Sequence, residues 1–302
     1  MADSTDLAFT PATELALAIG RGELTSASLV DTYLERIARL DAKLHAYIDV
    51  YADDARQAAG AADAARAAGH AVGPLHGIPV AVKDIVDIKG RVTTGGSKAW
   101  ADRVSPHSAT IVTRMLAAGM IVLGKTHTVE FAMGSFGTNQ HMGTPWNPWD
   151  ANGHRAPGGS SAGSGVAVAA GLAPWAIGTD TGGSVRLPSA WCGLTGLKTT
   201  KGRVSCHGVL PLSHTLDTPG PMCRSVEDAA ALYTILAGHD PRDRSTFATP
   251  AHDPLCEAHK GVAGLTLGRL NDAALTGVDA QMRAAYDASL ALLVELGAKI
   301  VT

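Results

Sequence analysis

The sequence predicts an α/β fold, with a mixed, largely parallel central sheet covered by helices on both faces. The main observation is that short apolar runs alternate with helical segments from about residue 78 onward, as they do in βαβ units. A second observation is that two segments rich in glycine and serine lie one helix and one strand apart. The predicted strands cover residues 78–82, 120–123, 175–178, 265–270 and 299–301.

The first part of the chain is predicted to be helical. Thr10 provides an N-cap and Pro11 the first helical position of one helix. A second helix begins near Thr25, where apolar residues follow at helical spacing. Residues 52–68 are rich in alanine and form a third helix, which Gly69 is placed to end.

The later helices are predicted between the strands. They cover residues 109–118, 161–170, 225–237 and 278–296. The helix at 225 begins with Ser225-Val226-Glu227-Asp228, which is a capping signature. Residues 240–261 are rich in proline, aspartate and histidine, and we expect them to cross the surface without marking a domain boundary.

The composition is that of a globular protein with ordinary charge. Of 302 residues, 46% are hydrophobic and 18% charged, and the net charge is −3. This charge argues against a nucleic-acid surface, and no apolar run is long enough to span a bilayer. The start of the chain lacks the features of a secretory signal. We therefore expect a cytoplasmic protein without a direct nucleic-acid or membrane partner; a homodimer stays open.

The four cysteines predict neither a metal site nor a disulfide framework. Cys192, Cys206, Cys223 and Cys256 show no paired short spacing, so that reduced thiols are expected. Cys192 lies shortly after a glycine-rich turn and therefore invites a nucleophile hypothesis. Its neighbours are apolar, which favours a buried structural thiol instead.

Residues 119–126 match the phosphate-loop pattern letter for letter, with Lys125 and Thr126 at the required positions. That loop must wrap backbone N–H groups around phosphates after the preceding strand has ended. Here the four variable positions are themselves apolar and form the predicted strand. We interpret the segment as a buried strand that runs into a polar turn.

Residues 159–163 match the nucleophile elbow of α/β-hydrolases, with Ser161 as the attacking residue. That turn requires a strand directly before it. The preceding residues 152–157 contain asparagine, glycine, histidine, arginine and proline, which cannot form a buried strand. The context therefore argues against this interpretation.

A lysine and two serines flanked by glycine form a third pattern. Lys83 follows the strand at 78–82, Ser160 lies in the segment 157–165, and Ser184 ends the segment 178–184. A serine hydroxyl can attack a carbonyl or relay a proton. Taken singly, Lys83 is better explained by a solvated charge, and both serines by ordinary turns. Together the three residues predict acyl transfer without histidine.

The segments 77–84, 157–164 and 178–186 closely resemble the amidase signature family. The agreement extends to four shorter segments, residues 123–126, 147–149, 192–198 and 202–205. It covers most of residues 10–302 in the order found in the family. The resemblance implies the amidase signature fold.

The resemblance also implies a role for each member of the three-residue pattern. Ser184 is the nucleophile, Ser160 bridges it to the lysine, and Lys83 is the base. A cis peptide bond is implied between Gly159 and Ser160. Lysine accepts a proton only when neutral, and its usual pKa is ~10.4. We expect burial at the strand end to lower the pKa of Lys83.

The glycine loop before the nucleophile is implied to stabilise the oxyanion. The implied donors are the backbone N–H groups of Thr181, Gly182, Gly183 and Ser184. Two interpretations of Arg186 stay open: it holds a substrate carboxylate, or it pairs with an acid such as Asp180.

The resemblance implies hydrolysis of a small-molecule carboxylic amide to an acid and an amine or ammonia, through an acyl-enzyme on Ser184. No metal or organic cofactor is implied. An alternative is the A subunit of a glutamyl-tRNA amidotransferase, which acts as a glutaminase within a complex. A non-catalytic binding protein on the same scaffold is disfavoured, because Lys83, Ser160 and Ser184 are all present.

Residues 1–302 are predicted to form a single amidase signature domain. The chain stops inside a predicted strand, and members of the family usually continue well past this point. We therefore expect the carboxy-terminal part of the fold to be missing, and residues 1–302 alone to be poorly soluble or inactive.

Overall fold

The structure is a computed structural model that describes residues 4–248 and 253–302. Two compact units are distinguished by the contacts within the chain, Met1–His252 and Asp253–Thr302. That residues 1–302 form one domain stays a prediction. Among the described residues, no helix has the length and apolar character needed to cross a membrane.

The first unit alternates helices and strands. In chain order its described elements are α1 Ser4–Phe9, α2 Ala12–Gly20, α3 Ser26–Leu44, β1 Tyr47–Val50, α4 Ala52–Ala67, β2 Pro79–Lys83, α5 Thr110–Ala117, β3 Ile121–Thr126, α6 Ala162–Ala169, β4 Ala176–Asp180, α7 Arg186–Trp191, β5 Thr195–Gly196, β6 Thr218–Cys223 and α8 Val226–Leu236.

These strands form one mixed sheet in the order β1-β3-β2-β4-β6-β5. The central strands β3, β2 and β4 are parallel to one another. The outer strands β1, β6 and β5 each pair antiparallel with their neighbours. The predicted mixed α/β fold is confirmed, and its parallel part lies at the centre of the sheet.

The central strands are covered on both faces. Every residue of β2, β4 and β6 is buried, which is the pattern of strands that lie between layers of helices. Helix α6 packs against β2, β3 and β4, and α8 packs against β5 and β6. Trp175, just before β4, is the largest fully buried side chain of the core.

The predicted strands and helices of this unit are found within one to three residues of their expected ends. Five further elements, α1, β1, β5, β6 and α7, were not predicted. Strand β6 contains Pro219 and Pro221, which usually exclude a segment from the interior of a sheet. Their carbonyl groups accept hydrogen bonds on the β5 side, from the Leu197 N–H at 3.0 Å and the Thr199 hydroxyl at 3.1 Å.

The predicted cap of the first helix is wrong. Pro11, not Thr10, occupies the N-cap of α2, and no side chain of this segment caps it. Instead the buried Asp228 carboxylate of α8 accepts the N–H groups of Ala12 at 2.8 Å and Thr13 at 2.9 Å. The cap therefore comes from a residue 216 positions away. By contrast, the predicted caps Thr25 and Ser225 are confirmed.

The segment 240–261 is not wholly at the surface, contrary to the sequence-based prediction. Asp240 is buried and accepts hydrogen bonds from Thr110, from Ser205 at 2.8 Å and from Arg242 at 3.0 Å. A carboxylate with three such donors fixes the start of the segment against the first unit. Residues 249–252 of the predicted linker lie outside the described residues.

The second unit contains α9 Leu255–Ala258, β7 Thr266–Gly268, α10 Ala280–Glu295 and β8 Lys299–Val301. Strands β7 and β8 are parallel and form a sheet of two strands, joined through α10. The Asp279 side chain caps α10 by accepting the Met282 N–H at 2.9 Å. This strand–helix–strand unit matches the predicted strands near 265 and 299 and the helix between them.

Candidate active site

The predicted site residues lie at the carboxyl ends of the parallel strands. Lys83 is the last residue of β2, and Asp180 is the last residue of β4. Because β2 and β4 are neighbours and run in the same direction, their ends meet at one edge of the sheet. Open α/β sheets place their ligand sites at this edge.

Lys83 is fully buried and contacts two hydroxyl groups. Its Nζ atom lies 2.8 Å from Ser160 Oγ and 2.8 Å from Thr179 Oγ1, and its exposed fraction is 0%. Within the described residues, no carboxylate forms an ion pair with it. Burial lowers the pKa of Lys83 to about 7, against the opposing effect of the Asp180 and Asp217 carboxylates. The predicted direction of the shift agrees with this value.

Ser160 lies in a turn that other backbone segments hold closely. The peptide bond between Gly159 and Ser160 is cis. The Ser160 carbonyl accepts the Val129 N–H at 3.2 Å and the Thr128 hydroxyl at 3.1 Å. A Cβ atom at Gly159 would lie 2.6 Å from the backbone nitrogen of Gly137, so that a larger residue does not fit there. The turn therefore has one well-packed arrangement.

Ser161 joins the two glycine-serine turns. Its N–H donates to the Ser184 carbonyl at 3.2 Å, and its hydroxyl donates to the Thr179 carbonyl at 3.2 Å while accepting the Thr179 N–H. The side chain is fully buried. Ser161 is thus engaged with backbone groups on both sides, and no strand precedes its turn, as the sequence context indicated.

Ser184 lies in the second turn, between β4 and α7, and is partly exposed. Among the described residues, its hydroxyl has no hydrogen-bond partner. A Cβ atom placed on the neighbouring Gly182 would meet nothing within 4 Å, so that the turn faces open space. A substrate carbonyl therefore has room beside Ser184.

The four backbone N–H groups predicted for the oxyanion hole differ in whether they already form a hydrogen bond. The Gly183 N–H donates to Asp180 Oδ1 at 2.8 Å and is therefore already occupied. The N–H groups of Thr181, Gly182 and Ser184 have no hydrogen-bond partner in the described part of the chain. Gly183 itself has a φ of +131°, which only glycine adopts readily. Its required conformation shapes the turn, while the three other donors stay available.

Arg186 forms an ion pair with Asp180, one of the two interpretations left open by the sequence. The guanidinium donates from Nε to Oδ2 and from Nη2 to Oδ1, each at 3.0 Å. Asp180 is fully buried, whereas the Arg186 side chain is 54% exposed. The Arg186 guanidinium and the backbone N–H groups of the turn hold the pKa of Asp180 below its usual value. The exposed guanidinium still faces solvent.

The structure also shows which groups Lys125 and Cys192, from the competing patterns, contact. Lys125, from the phosphate-loop match, is fully buried and pairs with Asp84 at 2.8 Å, so that its charge is already matched. Cys192 is buried, and its thiol donates to the Pro157 carbonyl at 3.4 Å. Burial raises the pKa of Cys192 to about 12, which disfavours a thiolate nucleophile.

Sequence reasoning did not single out Thr179, the second partner of Lys83. A signal was present, because Thr179 is a polar residue inside a strand whose residues are all buried. The hydrogen bonds by which Ser161 joins the two glycine-serine turns were also not predicted. They rest on backbone contacts between distant turns, which no local pattern encodes.

Comparison with known proteins places the chain in a family. The family model described as Amidase matches residues 28–302, and the chain belongs to that family. The A subunit of the glutamyl-tRNA(Gln) amidotransferase of Thermobifida fusca is 44% identical over 299 residues. Those residues make up 98% of this chain and 59% of that protein. The chain thus spans about three fifths of the length of this relative.

Solved structures of the family have the same fold. Native peptide amidase from Stenotrophomonas maltophilia matches with a TM-score of 0.90 and 38% identity, over 97% of this chain and 61% of that one. The A subunit of the Thermotoga maritima glutamyl-tRNA(Gln) amidotransferase matches with a TM-score of 0.85 and 34% identity, over 98% and 61%. The predicted amidase signature fold is therefore confirmed.

Proposed function

We propose that this protein hydrolyses a carboxylic amide through an acyl-enzyme on Ser184. The observation that carries the proposal is the pairing of a fully buried lysine with a serine hydroxyl, Lys83 Nζ to Ser160 Oγ at 2.8 Å, without a carboxylate to fix the charge. Such a lysine can be neutral near pH 7 and accept a proton.

The first half of the reaction forms the acyl-enzyme. Ser184 Oγ attacks the amide carbonyl, and its proton passes to Ser160, which gives its own proton to Lys83. The negative charge on the carbonyl oxygen is stabilised by the free N–H groups of the turn 181–184. Loss of one such donor typically lowers the rate by a factor of about 10²–10³.

The second half releases both products. As the C–N bond breaks, the proton held by Lys83 returns through Ser160 to the departing amine or ammonia. Water then attacks the acyl group and gives a proton to the relay, and the relay returns this proton to Ser184 Oγ as the acid leaves. The cycle ends with Lys83 neutral, and it consumes only the amide and water.

A second candidate follows from the relatives. The A subunit of a glutamyl-tRNA amidotransferase would use the same residues to release ammonia from glutamine. The 44% identity to such a protein over 98% of the chain supports this candidate. The match to a peptide amidase supports hydrolysis of free peptide amides equally well.

Hydroxylamine partitioning tests the proposal. The protein, expressed from its full reading frame, is incubated with aliphatic, aryl and peptide amides and with glutamine, in the presence of hydroxylamine. An acyl-enzyme gives a hydroxamate in competition with the free acid, and we expect this product with at least one amide. Ammonia release without any hydroxamate would contradict the acyl-enzyme. Glutamine turnover that requires added partner subunits would favour the amidotransferase.

A further inference from the structure

Asp217 lies opposite the oxyanion turn, directly before β6, a strand that sequence patterns did not predict. In the antiparallel pair of β4 and β6, Asp180 faces Thr218. The same register places Thr181, the residue after β4, opposite Asp217, the residue before β6. The Thr181 hydroxyl donates to Asp217 Oδ1 across this gap. Asp217 is 6% exposed, so that its carboxylate is largely shielded from water.

The Asp217 carboxylate is held firmly from its own loop. Oδ2 accepts the Leu212 N–H at 2.9 Å, and both oxygens accept the Ser213 N–H at 3.0 Å. The carbonyl of Asp217 accepts Lys201 Nζ at 3.1 Å. These contacts hold the carboxylate in place independently of Thr181, so that the carboxylate can set the position of Thr181.

The same loop is anchored beside the base. The Leu210 N–H donates to the Ile85 carbonyl at 2.8 Å, two residues after Lys83. Val209 also forms an isolated bridge with Val86. The segment 209–217 therefore connects the chain that carries Lys83 with the turn that carries Ser184.

We propose that Asp217 is a positioning residue: it holds the turn 181–184 through Thr181 and keeps its backbone donors directed at the reacting carbonyl. The proposal rests on the proposed function, because it assigns Asp217 a task in that same reaction. Asp217 acts through Thr181 and does not touch the substrate. Its loss therefore lowers kcat more than it changes KM.

The negative charge of Asp217 gives a second, independent way to test this residue. Two carboxylates, Asp180 and Asp217, favour the charged form of Lys83. Asp180 is matched by the bidentate Arg186. In the described part of the chain, the carboxylate of Asp217 accepts hydrogen bonds only from neutral donors. The Lys201 ammonium contacts the backbone carbonyl of Asp217, and Cys206 lies beside Lys201. The charge of Asp217 is thus the less compensated of the two.

The test compares Asp217→Asn, Thr181→Val and Thr181→Ser in the protein from its full reading frame. Rates are expressed per active site, titrated with an organophosphonate that labels the serine nucleophile. We expect Asp217→Asn and Thr181→Val each to lower kcat about 10- to 100-fold, as for a lost hydrogen bond to a charged group. Thr181→Ser keeps the donor and is expected to restore most of the rate.

The pH profile of kcat/KM separates the effect of the Asp217 charge on Lys83 from the effect of its hydrogen bond to Thr181. Neutral Lys83 is required, so that the rate falls as the pH drops through the pKa of Lys83. Asp217→Asn removes a negative charge and moves this midpoint to lower pH. Thr181→Val leaves the charge in place and leaves the midpoint where it is. Asp243→Asn is the matched control, because Asp243 is bound to Cys206 and Ser245 and not to Thr181.

The outcomes are distinct. A wild-type kcat per titrated site in Asp217→Asn overturns the proposal. Should Asp217→Asn fail to fold, a wild-type kcat in Thr181→Val overturns it as well. A wild-type enzyme without any amide hydrolysis would instead remove the proposed function itself.

Discussion

At the scale of single residues, Lys83 is both the proposed base and a cost to the fold. An ordinary lysine has a pKa of 10.5, whereas burial lowers that of Lys83 to about 7. Between these values the unfolded chain binds a proton that the folded chain does not bind. The linkage therefore opposes folding by on the order of 4 kcal/mol at pH 7. This cost falls as the pH rises toward 10.5.

Lys83→Met is accordingly expected to raise stability while removing activity. The methionine has no charge to desolvate, so that the variant should unfold at a higher temperature than wild type at pH 7. The difference should shrink toward pH 10. Thermal unfolding at the two pH values checks this, with the exposed Lys89→Met as the control. A less stable variant at pH 7 would show that the bonds to Ser160 and Thr179 outweigh the burial cost.

The pH dependence of the reaction follows from the same residue. Because neutral Lys83 is needed in the free enzyme, kcat/KM should rise with pH through a midpoint near 7, the pKa of Lys83. Lys83→Ala should lose nearly as much rate as Ser184→Ala, since residues of one relay are strongly non-additive. Near-normal rates for Lys83→Ala at about pH 8, where an ordinary lysine is mostly charged, would exclude Lys83 as the base.

Much of the candidate site could be predicted residue by residue. Lys83, Ser160 and Ser184 are polar residues at strand ends and in glycine-rich turns, and their joint pattern predicted them as candidates. The ion pair of Arg186 with Asp180 was one of two alternatives, because six residues of separation do not decide whether both side chains meet. Asp217 could not be found, since its contact with Thr181 depends on the register of a strand that was not predicted.

At the scale of elements, local signals predicted the helices well and the unusual strands poorly. Thr25 and Ser225 cap their helices through their own side chains, so that the sequence alone carries the information. Strand β5 has only two residues, which no periodicity can reveal. Strand β6 contains two prolines, so that local patterns argue against a strand there, although their carbonyls accept hydrogen bonds from Leu197 and Thr199 on the β5 side.

The docking of α2 gives a prediction at this scale. Asp228 accepts three hydrogen bonds from the start of α2, two from N–H groups and one from the Thr13 hydroxyl at 2.9 Å. Asp228→Ala leaves these donors without a partner, and we expect it to lower the free energy of unfolding by about 2 kcal/mol. Urea unfolding measures this, and kcat should stay unchanged. Glu227→Ala, at the exposed neighbouring position, is the control, and an equal loss there would contradict the assigned role.

At the scale of the whole molecule, the sheet brings the candidate site together. Lys83 and Ser184 are 101 positions apart in the chain. The parallel arrangement of β2 and β4 brings their turns to one edge, where Ser160 and Thr179 meet Lys83. The sequence predicted Lys83 at a strand end, and the family resemblance implied that Ser160 and Ser184 act with it. The chain spans about three fifths of the length of its relatives.

The central claim is that Ser184 carries the acyl group during turnover. The most direct measurement is intact-protein and peptide mass spectrometry after rapid acid quenching of the enzyme with a slowly hydrolysed amide or the corresponding ester. The account predicts one added acyl group on the peptide that contains Ser184, and neither acyl group nor turnover in Ser184→Ala. An acyl group on another residue, or turnover retained by Ser184→Ala, would contradict it.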